Sequence, residues 1–364
     1  MTTYKTSEWV SPAHPDKCAD CISEYILDQL ILQDPKTRYA VEVQIKDNVV
    51  NLAGELTTNA KFTDKNIKQW VKEAVRKVGY TKEYQFNFGE GNTICADDLV
   101  INMCISKQSP DISLGVNKDA WGDQGIFFGY YSRETEQGHG IDFSLAKRIG
   151  QALYIDAVTG LQPIGIDIKT QVTVKLEPTG EYDVTDIIVA VPTPNDVNQA
   201  TVNKLVKKKI KSIDHATEKA QIIINGTGAY HIHGPVGDSG TTGRKLVVDF
   251  YGSRSRIGGG SPWTKDATKA DLTLNLFAYD MAKRYYKELR KEIPNLHHVE
   301  TELACCIGRQ EVSCFVTAFD EEGIPVYTTR EAGKVKPSTL IKQYGLDTPV
   351  FFEMCINGLF SRIS

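Results

Sequence analysis

DKCADCISEYILDQLILQDPKTRYAVEVQIKDNVVNLAGEL, residues 16–56, changes its hydrophobic period halfway along. In the first half Ile22, Ile26 and Leu30 recur every four residues, which is the spacing of one helix face. The second half holds YAVEVQI and VVNLAGEL, short runs rich in Val and Ile that read as strands. Pro15 suits the first helical position and Asp16 the first turn, so the spacing predicts a helix over 16–33 followed by two strands.

The same order of patterns returns twice. Helix patterns near 142–157 and 267–290 precede DIKTQVTVKL with YDVTDIIVAV, and HVETELACCI with VSCFVTAF. The three starts near 16, 142 and 267 recur at about 125 residues, the mark of a structural repeat. A second helix pattern closes each round, near 62–78, 197–213 and 336–345. Further apolar runs follow in the first two rounds, TICADDLVINMCI and AQIIING. The residues themselves do not repeat; only the pattern does. It implies an α+β chain of three similar units, each a sheet with helices on one face. No strand–turn–helix unit carries G-x-G-x-x-G, which argues against a dinucleotide-binding half.

Bulk properties narrow the function. The 364 residues are too many for one ordinary core. With 42 Lys and Arg against 46 Asp and Glu, the net charge of −4 argues against nucleic acid or an anionic membrane as partner. The start, MTTYKTSEWVSPAHPDK, lacks an apolar signal core and no run is long enough to span a membrane, so a cytoplasmic protein is expected. Eight cysteines in such a chain read as reduced thiols. Cys18-Ala-Asp-Cys21 has no second pair at metal spacing and reads as buried thiols on the helix.

The chemistry concentrates in two glycine-rich pieces, GDSGTTGRK (237–245) and GGGSPWTKD (258–266). The first is not a P-loop, since Thr242 stands where the second Gly belongs and Arg244, not Lys, follows Gly243. Arg244, Lys245, Arg254, Arg256, Lys265 and Lys269 cluster there with Asp238, Asp266 and Asp271. Several cations with a few carboxylates, among backbone-accessible glycines, suit a polyphosphate with its Mg²⁺. His14-Pro-Asp-Lys17 opens the first helix, where free N–H groups and the dipole favour an anion. A His there can hydrogen-bond a phosphate-ester oxygen, Lys17 can pair a phosphate, and Asp16 can hold Mg²⁺. Gly122-Asp-Gln-Gly125 and Gly54-Glu55 each expose a carboxylate beside Gly, and Tyr230 sits on a Gly-rich loop where it can stack on a base. His231 and His233 fall on one side of an extended segment with no third ligand in sequence.

Together SPAHPDKCADCISEYILDQLILQDP, VEVQI, GELTTNA, ISKQSPDISLGV, GDQGIFFGY, IKTQVTV, HGPVGDSGTTGRKLVVDFYG, GGGSPWTKDATKAD and ACCIG resemble the S-adenosylmethionine synthetase family, in family order. The resemblance implies three α/β domains around a pseudo-threefold axis, with approximate bounds 1–113, 119–233 and 234–364 and short segments that interleave. It implies an enzyme, a methionine adenosyltransferase, in which the sulfur of L-methionine attacks C5′ of ATP and the released triphosphate is then hydrolysed. His14 and Lys169, Lys265 and Asp238 are its implied catalytic residues. Lys17, Asp123, Asp167, Tyr230, Arg244, Lys245 and Lys269 join them around ATP. Glu55 and Gln108, with Asp238 and Lys269, are the implied methionine contacts. Asp16 and Asp271 are implied to hold Mg²⁺, two ions per site, and Glu42 a K⁺. Family members are homodimers with shared active sites, and some are tetramers.

Departures from the family pattern are visible. Ala13 replaces the Gly of G-H-P-D-K, GGGSPWTKD replaces G-G-G-A-F-S-G-K-D, and Gly165-Ile166-Asp167 replaces R-P-D before Lys169. T-G-R-F becomes Thr227-Gly-Ala-Tyr230, and the segment between Gln108 and Asp123 is several residues shorter, which predicts weaker gating of the site.

Overall fold

The computed structural model describes residues 2–107, 119–177 and 180–364. The first third contains β1 (Thr3–Val10), α1 (Pro15–Ile31), β2 (Arg38–Lys46), β3 (Val49–Thr57), α2 (Asp64–Val78), α3 (Lys82–Phe88) and β4 (Val100–Ser106). The second contains β5 (Gly125–Ser132), α4 (Ile141–Val158), β6 (Lys169–Leu176), β7 (Tyr182–Ala190), α5 (Gln199–Lys211) and β8 (Gln221–Ile224). The last contains β9 (Gly240–Thr241), α6 (Ala270–Leu289), β10 (Leu296–Cys305), β11 (Glu311–Asp320), β12 (Pro325–Lys334), α7 (Pro337–Tyr344) and α8 (Phe351–Asn357). The predicted helices lie within two or three residues of these bounds.

The strands form three four-stranded sheets, ordered β9-β2-β3-β4, β1-β6-β7-β8 and β5-β10-β11-β12. Each consists of a central antiparallel pair, a fourth strand, and an edge strand taken from another third of the chain. β1 joins the second sheet, β5 the third, and β9 the first. This cyclic exchange ties three similar α+β units into one body. In the first two units a helix crosses between the second and third strands, so β3 with β4 and β7 with β8 are parallel. The third unit has no crossover. Asp320 Oδ1 accepts the N–H groups of Glu322 (2.9 Å) and Ile324 (2.8 Å), and the chain turns straight back, making β11 and β12 antiparallel.

One face of each sheet is covered by helices. Val41, Val43 and Ile45 of β2 are buried under α1, while Glu42 and Gln44 between them face outward. One apolar core runs continuously through the first and third units; a second fills the middle unit and takes Trp9 from β1. Cys18 and Cys21 are buried free thiols. Among the described residues no helix is long and apolar enough to cross a membrane.

Candidate functional site

Helix α1 organises the site. His14 is its N-cap and Pro15 its first helical residue, as the sequence predicts. Fifteen of its seventeen residues are buried, including acids at every fourth position: Asp16, Asp20, Glu24 and Asp28. That spacing places them along one face. Each accepts backbone N–H groups from a distant segment. Asp16 holds Thr241 (2.9 Å), Asp20 holds Gly243 (2.9 Å) and Glu24 holds Thr264 (2.6 Å). Asp28 holds Phe351 and Phe352 (both 2.9 Å), the start of α8. Both glycine-rich segments are thus hung on one helix face. The fit is close: a Cβ on Gly240 would lie 2.1 Å from the Pro15 carbonyl oxygen.

Around the mouth of α1 stands a charged group. Asp16 Oδ2 meets Lys245 Nζ at 2.7 Å, and its Oδ1 lies 3.6 Å from the Arg244 guanidinium. Burial opposes the ionised form of Asp16, yet the bonds from Lys245 and the Thr241 N–H hold its pKa below the usual carboxylate value. Burial, then the charges of Lys245 and Lys169, lower the His14 pKa to about 4 against the opposing pull of Asp16 and Asp238. His14 Nδ1 accepts the Asp16 N–H at 3.2 Å, so the neutral ring carries its proton on Nε2. Lys169, at the start of β6, pairs with Glu8 at 2.9 Å. Asp238 is exposed and caps its own loop through the Ser239 N–H (2.7 Å). Asp167 is half-buried and accepts the Gly234 N–H at 2.8 Å; burial, with Asp238 adding, pushes its pKa up to about 7. Tyr230 donates its hydroxyl to the Asp167 carbonyl at 3.1 Å.

A second group lies along the outer face of β2. Lys265 pairs with Asp271 in the first turn of α6, and Lys269 is that helix's N-cap. A Cβ on Gly260 would fall 2.0 Å from an Asp271 carboxylate oxygen, so the second glycine-rich turn wraps that acid closely. Lys265 bridges Ala40 of β2, and Ala40 faces Glu55 of β3, which puts Lys265 and Glu55 on one cross-strand row. Asp123 accepts the Gln124 N–H at 2.8 Å, and its carbonyl meets Cys305 Sγ at 3.4 Å. Burial first, then the charges of Asp123 and Asp271, push the Cys305 thiol pKa up to about 12. Glu42 joins the two groups through hydroxyls of Thr242 and Thr264, one from each glycine-rich segment.

Three of the seven clustered or helix-mouth cations have a different use from the one predicted. Lys17 is buried, with its ammonium 3.1 Å from Asp20, 2.8 Å from Asp249 and 4.7 Å above the Trp263 ring. It is directed into the protein rather than toward a triphosphate, because the helix turns position 17 away from position 16. Arg254 is buried against Glu134 (2.8 Å) and Asp142 (2.7 Å). Arg256 stacks on Phe128 and pairs with Glu302 at 3.3 Å. Gln108 and most of the shortened 108–123 segment lie outside the described residues. Asp20, Glu24 and Asp249 were missed by the sequence reading; acids every fourth residue on an otherwise apolar helix were the available signal.

The donor set fits Mg²⁺ in kind. Asp16 and Asp271 each already face a cation, the ammonium of Lys245 and of Lys265, and a phosphate-bound Mg²⁺ needs only one or two protein carboxylates. No cluster of three His, Cys, Asp or Glu is present among the described residues, so phosphate and water must complete any such shell. Glu42 does not fit a K⁺ in this arrangement, because the neutral oxygens beside it, the hydroxyls of Thr242 and Thr264, turn hydrogens rather than lone pairs toward the carboxylate.

Comparison with known proteins shows the family. Family models of the S-adenosylmethionine synthetase N-terminal, central and C-terminal domains match residues 2–110, 118–230 and 232–364. S-adenosylmethionine synthase of Acholeplasma laidlawii is 34% identical over 382 residues, covering 100% of this chain and 95% of that protein. The synthase of Clostridium tetani is 32% identical over 388 residues, again covering 95% of its own length. The solved structure of an unusual S-adenosylmethionine synthetase from Campylobacter jejuni superposes with a TM-score of 0.84 at 27% identity, over 98% of this chain and 94% of that one. A helix mouth fed by two glycine-rich segments, in a chain matched from end to end, places this protein in the S-adenosylmethionine synthetase family.

Proposed function

We propose that this protein makes S-adenosylmethionine, pyrophosphate and phosphate from ATP, L-methionine and water. The observation that carries the reading is the convergence of Arg244 and Lys245 on Asp16 beside a neutral His14. In the first step a sulfur lone pair forms the S–C5′ bond, and the C5′–O5′ bond breaks with its electrons on the triphosphate. Charge grows on O5′, so a positioned donor there lowers the barrier. His14 offers its Nε2–H, and it does so as a neutral donor across the physiological pH range. Arg244, Lys245 and Lys169 hold the departing phosphates, with Lys265 and Lys269 at the far side. Mg²⁺ held by Asp16 and Asp271 would neutralise phosphate charge. Glu55, on the row of Lys265, is placed to meet the methionine ammonium. Tyr230 and Asp167 form the nucleoside side. Water then cleaves the triphosphate while the same cations retain it. We read the protein as a homodimer in which the His14 group of one chain and the Lys265 group of its partner face a shared substrate.

The test is incubation with ATP, Mg²⁺ and either L-methionine or none, with product separation. Methionine-dependent formation of S-adenosylmethionine with equal pyrophosphate and phosphate is expected. ATP consumption indifferent to methionine would overturn the reading. Lys265→Ala should lower kcat by about 10²–10³-fold with the urea midpoint unchanged, as expected for one lost electrostatic contact to a developing charge.

A further inference from the structure

Thr264 is a β-branched residue with φ of 72°, in the left-handed region where a side chain costs about 1–3 kcal/mol. Such a conformation persists only where its surroundings impose it, and here three bonds do. Its N–H goes to Glu24 (2.6 Å), its carbonyl accepts the Val41 N–H (3.1 Å), and its hydroxyl donates to Glu42 Oε1 (3.0 Å). The next residue is Lys265, so the position of Thr264 fixes the base of that side chain. On the opposite side the Thr242 hydroxyl donates to Glu42 Oε2. Glu42 is therefore the middle of a bridge, Thr242–Glu42–Thr264, that locks the first glycine-rich segment to the second.

A K⁺ at Glu42 would have to join the same two segments. It would require a shell of oxygens with lone pairs turned inward. Here the hydroxyl hydrogens already point at both carboxylate oxygens, and a hydroxyl has one hydrogen to give. We infer that Thr264 is a positioning residue that takes the place of a monovalent cation at Glu42, so that this protein holds Lys265 and turns over without K⁺. The inference rests on the proposed function for its catalytic part and on geometry alone for its binding part.

The experiment uses the full chain, Thr264→Gly and Thr264→Ser in KCl or tetramethylammonium chloride at equal ionic strength, which holds general screening constant. Glycine suits the left-handed backbone, so Thr264→Gly should fold. Without substrates, the Tm of the wild type should be the same in both salts. Thr264→Gly should gain Tm in KCl, because a cation that binds only the folded state stabilises it. Its turnover should rise about tenfold or more with K⁺, whereas the wild type should change less than about twofold. Thr264→Ser, which restores the hydroxyl, should regain indifference to K⁺. A wild type whose Tm and turnover climb with K⁺, or a Thr264→Gly that ignores it in both measurements, would overturn the inference. If no salt yields S-adenosylmethionine, the proposed function fails, and the substrate-free melting arm still decides whether Thr264 replaces a cation.

Discussion

Helices α1 and α4 open the first two units, are 17 and 18 residues long, and cover equivalent sheets, yet their buried acids behave differently. On α4, Asp142 meets the Arg254 guanidinium at 2.7 Å and the Ser7 hydroxyl at 2.6 Å. It is a charge neutralised by a charge, and it ties the second unit to the third. On α1 the four acids at 16, 20, 24 and 28 all take backbone N–H groups. A carboxylate on a side-chain cation fixes which elements touch. A carboxylate on a main-chain N–H fixes where a loop's backbone runs, and so where its side chains begin. On α4 the carboxylate joins two units; on α1 the acids at 16, 20 and 24 set the backbone of the two glycine-rich segments, and Asp28 sets the start of α8.

That contrast can be broken by experiment. Arg254→Met would strip Glu134 and Asp142 of their guanidinium, leaving them the Ile141 N–H and the Ser7 hydroxyl, and breaking such a pair costs about 3–5 kcal/mol. Urea unfolding should show that loss, while KM for ATP of the folded fraction stays within about twofold. A large change in KM would mean that the α4 acids also shape the site. Asp20→Ala should do the reverse. It strips the Gly243 N–H of its partner while Lys17 keeps Asp249, so stability should fall by about 1–3 kcal/mol. A loop displaced by about an ångström should cost kcat roughly 10²-fold. Unchanged kcat would mean that the Asp20–Gly243 bond does not position the site.

The smallest effect concerns Asp28. Burial raises its pKa to about 6, against the pull of the Phe351 and Phe352 N–H groups. Between about pH 4 and 6 the unfolded chain has lost this proton and the native one keeps it. Stability therefore falls as pH rises, by at most about 1.4 kcal/mol per unit. Asp28→Asn should flatten that slope in urea midpoints measured across the window. An unaltered slope would show that Asp28 is ionised in the native state.

Much of this was legible in the sequence. Ile22, Ile26 and Leu30 marked α1, and the alternation in YAVEVQI marked β2, because burial on one side imposes a period. β12, PVYTTREAGK, gave no such signal: it is an outer strand, exposed along nearly all its length, with no face that must be apolar. β9 has two residues and is held by contacts rather than by its own propensity. In the site, Asp16, Lys245, Lys265 and Asp271 stood out as charges among glycines. Lys17 misled, since a lysine beside a helix mouth looks the same whether its ammonium points out or toward Asp249. Glu24 and Asp20 were hidden because their partners are main-chain atoms more than 200 residues away.

The exchange of edge strands also bears on how the chain comes to be folded. β1 is made first, but its neighbour is β6 at 169–176, and β2 waits for Gly240–Thr241. β5 in turn stays open until β10 at 296–305 arrives. No sheet closes within its own third of the chain, so during synthesis β1, β2 and then β5 wait with unpaired edges, the feature most prone to join the wrong molecule. Closure of the last sheet completes the set, and the three units should therefore appear and disappear together, as one cooperative body rather than as three beads on a string.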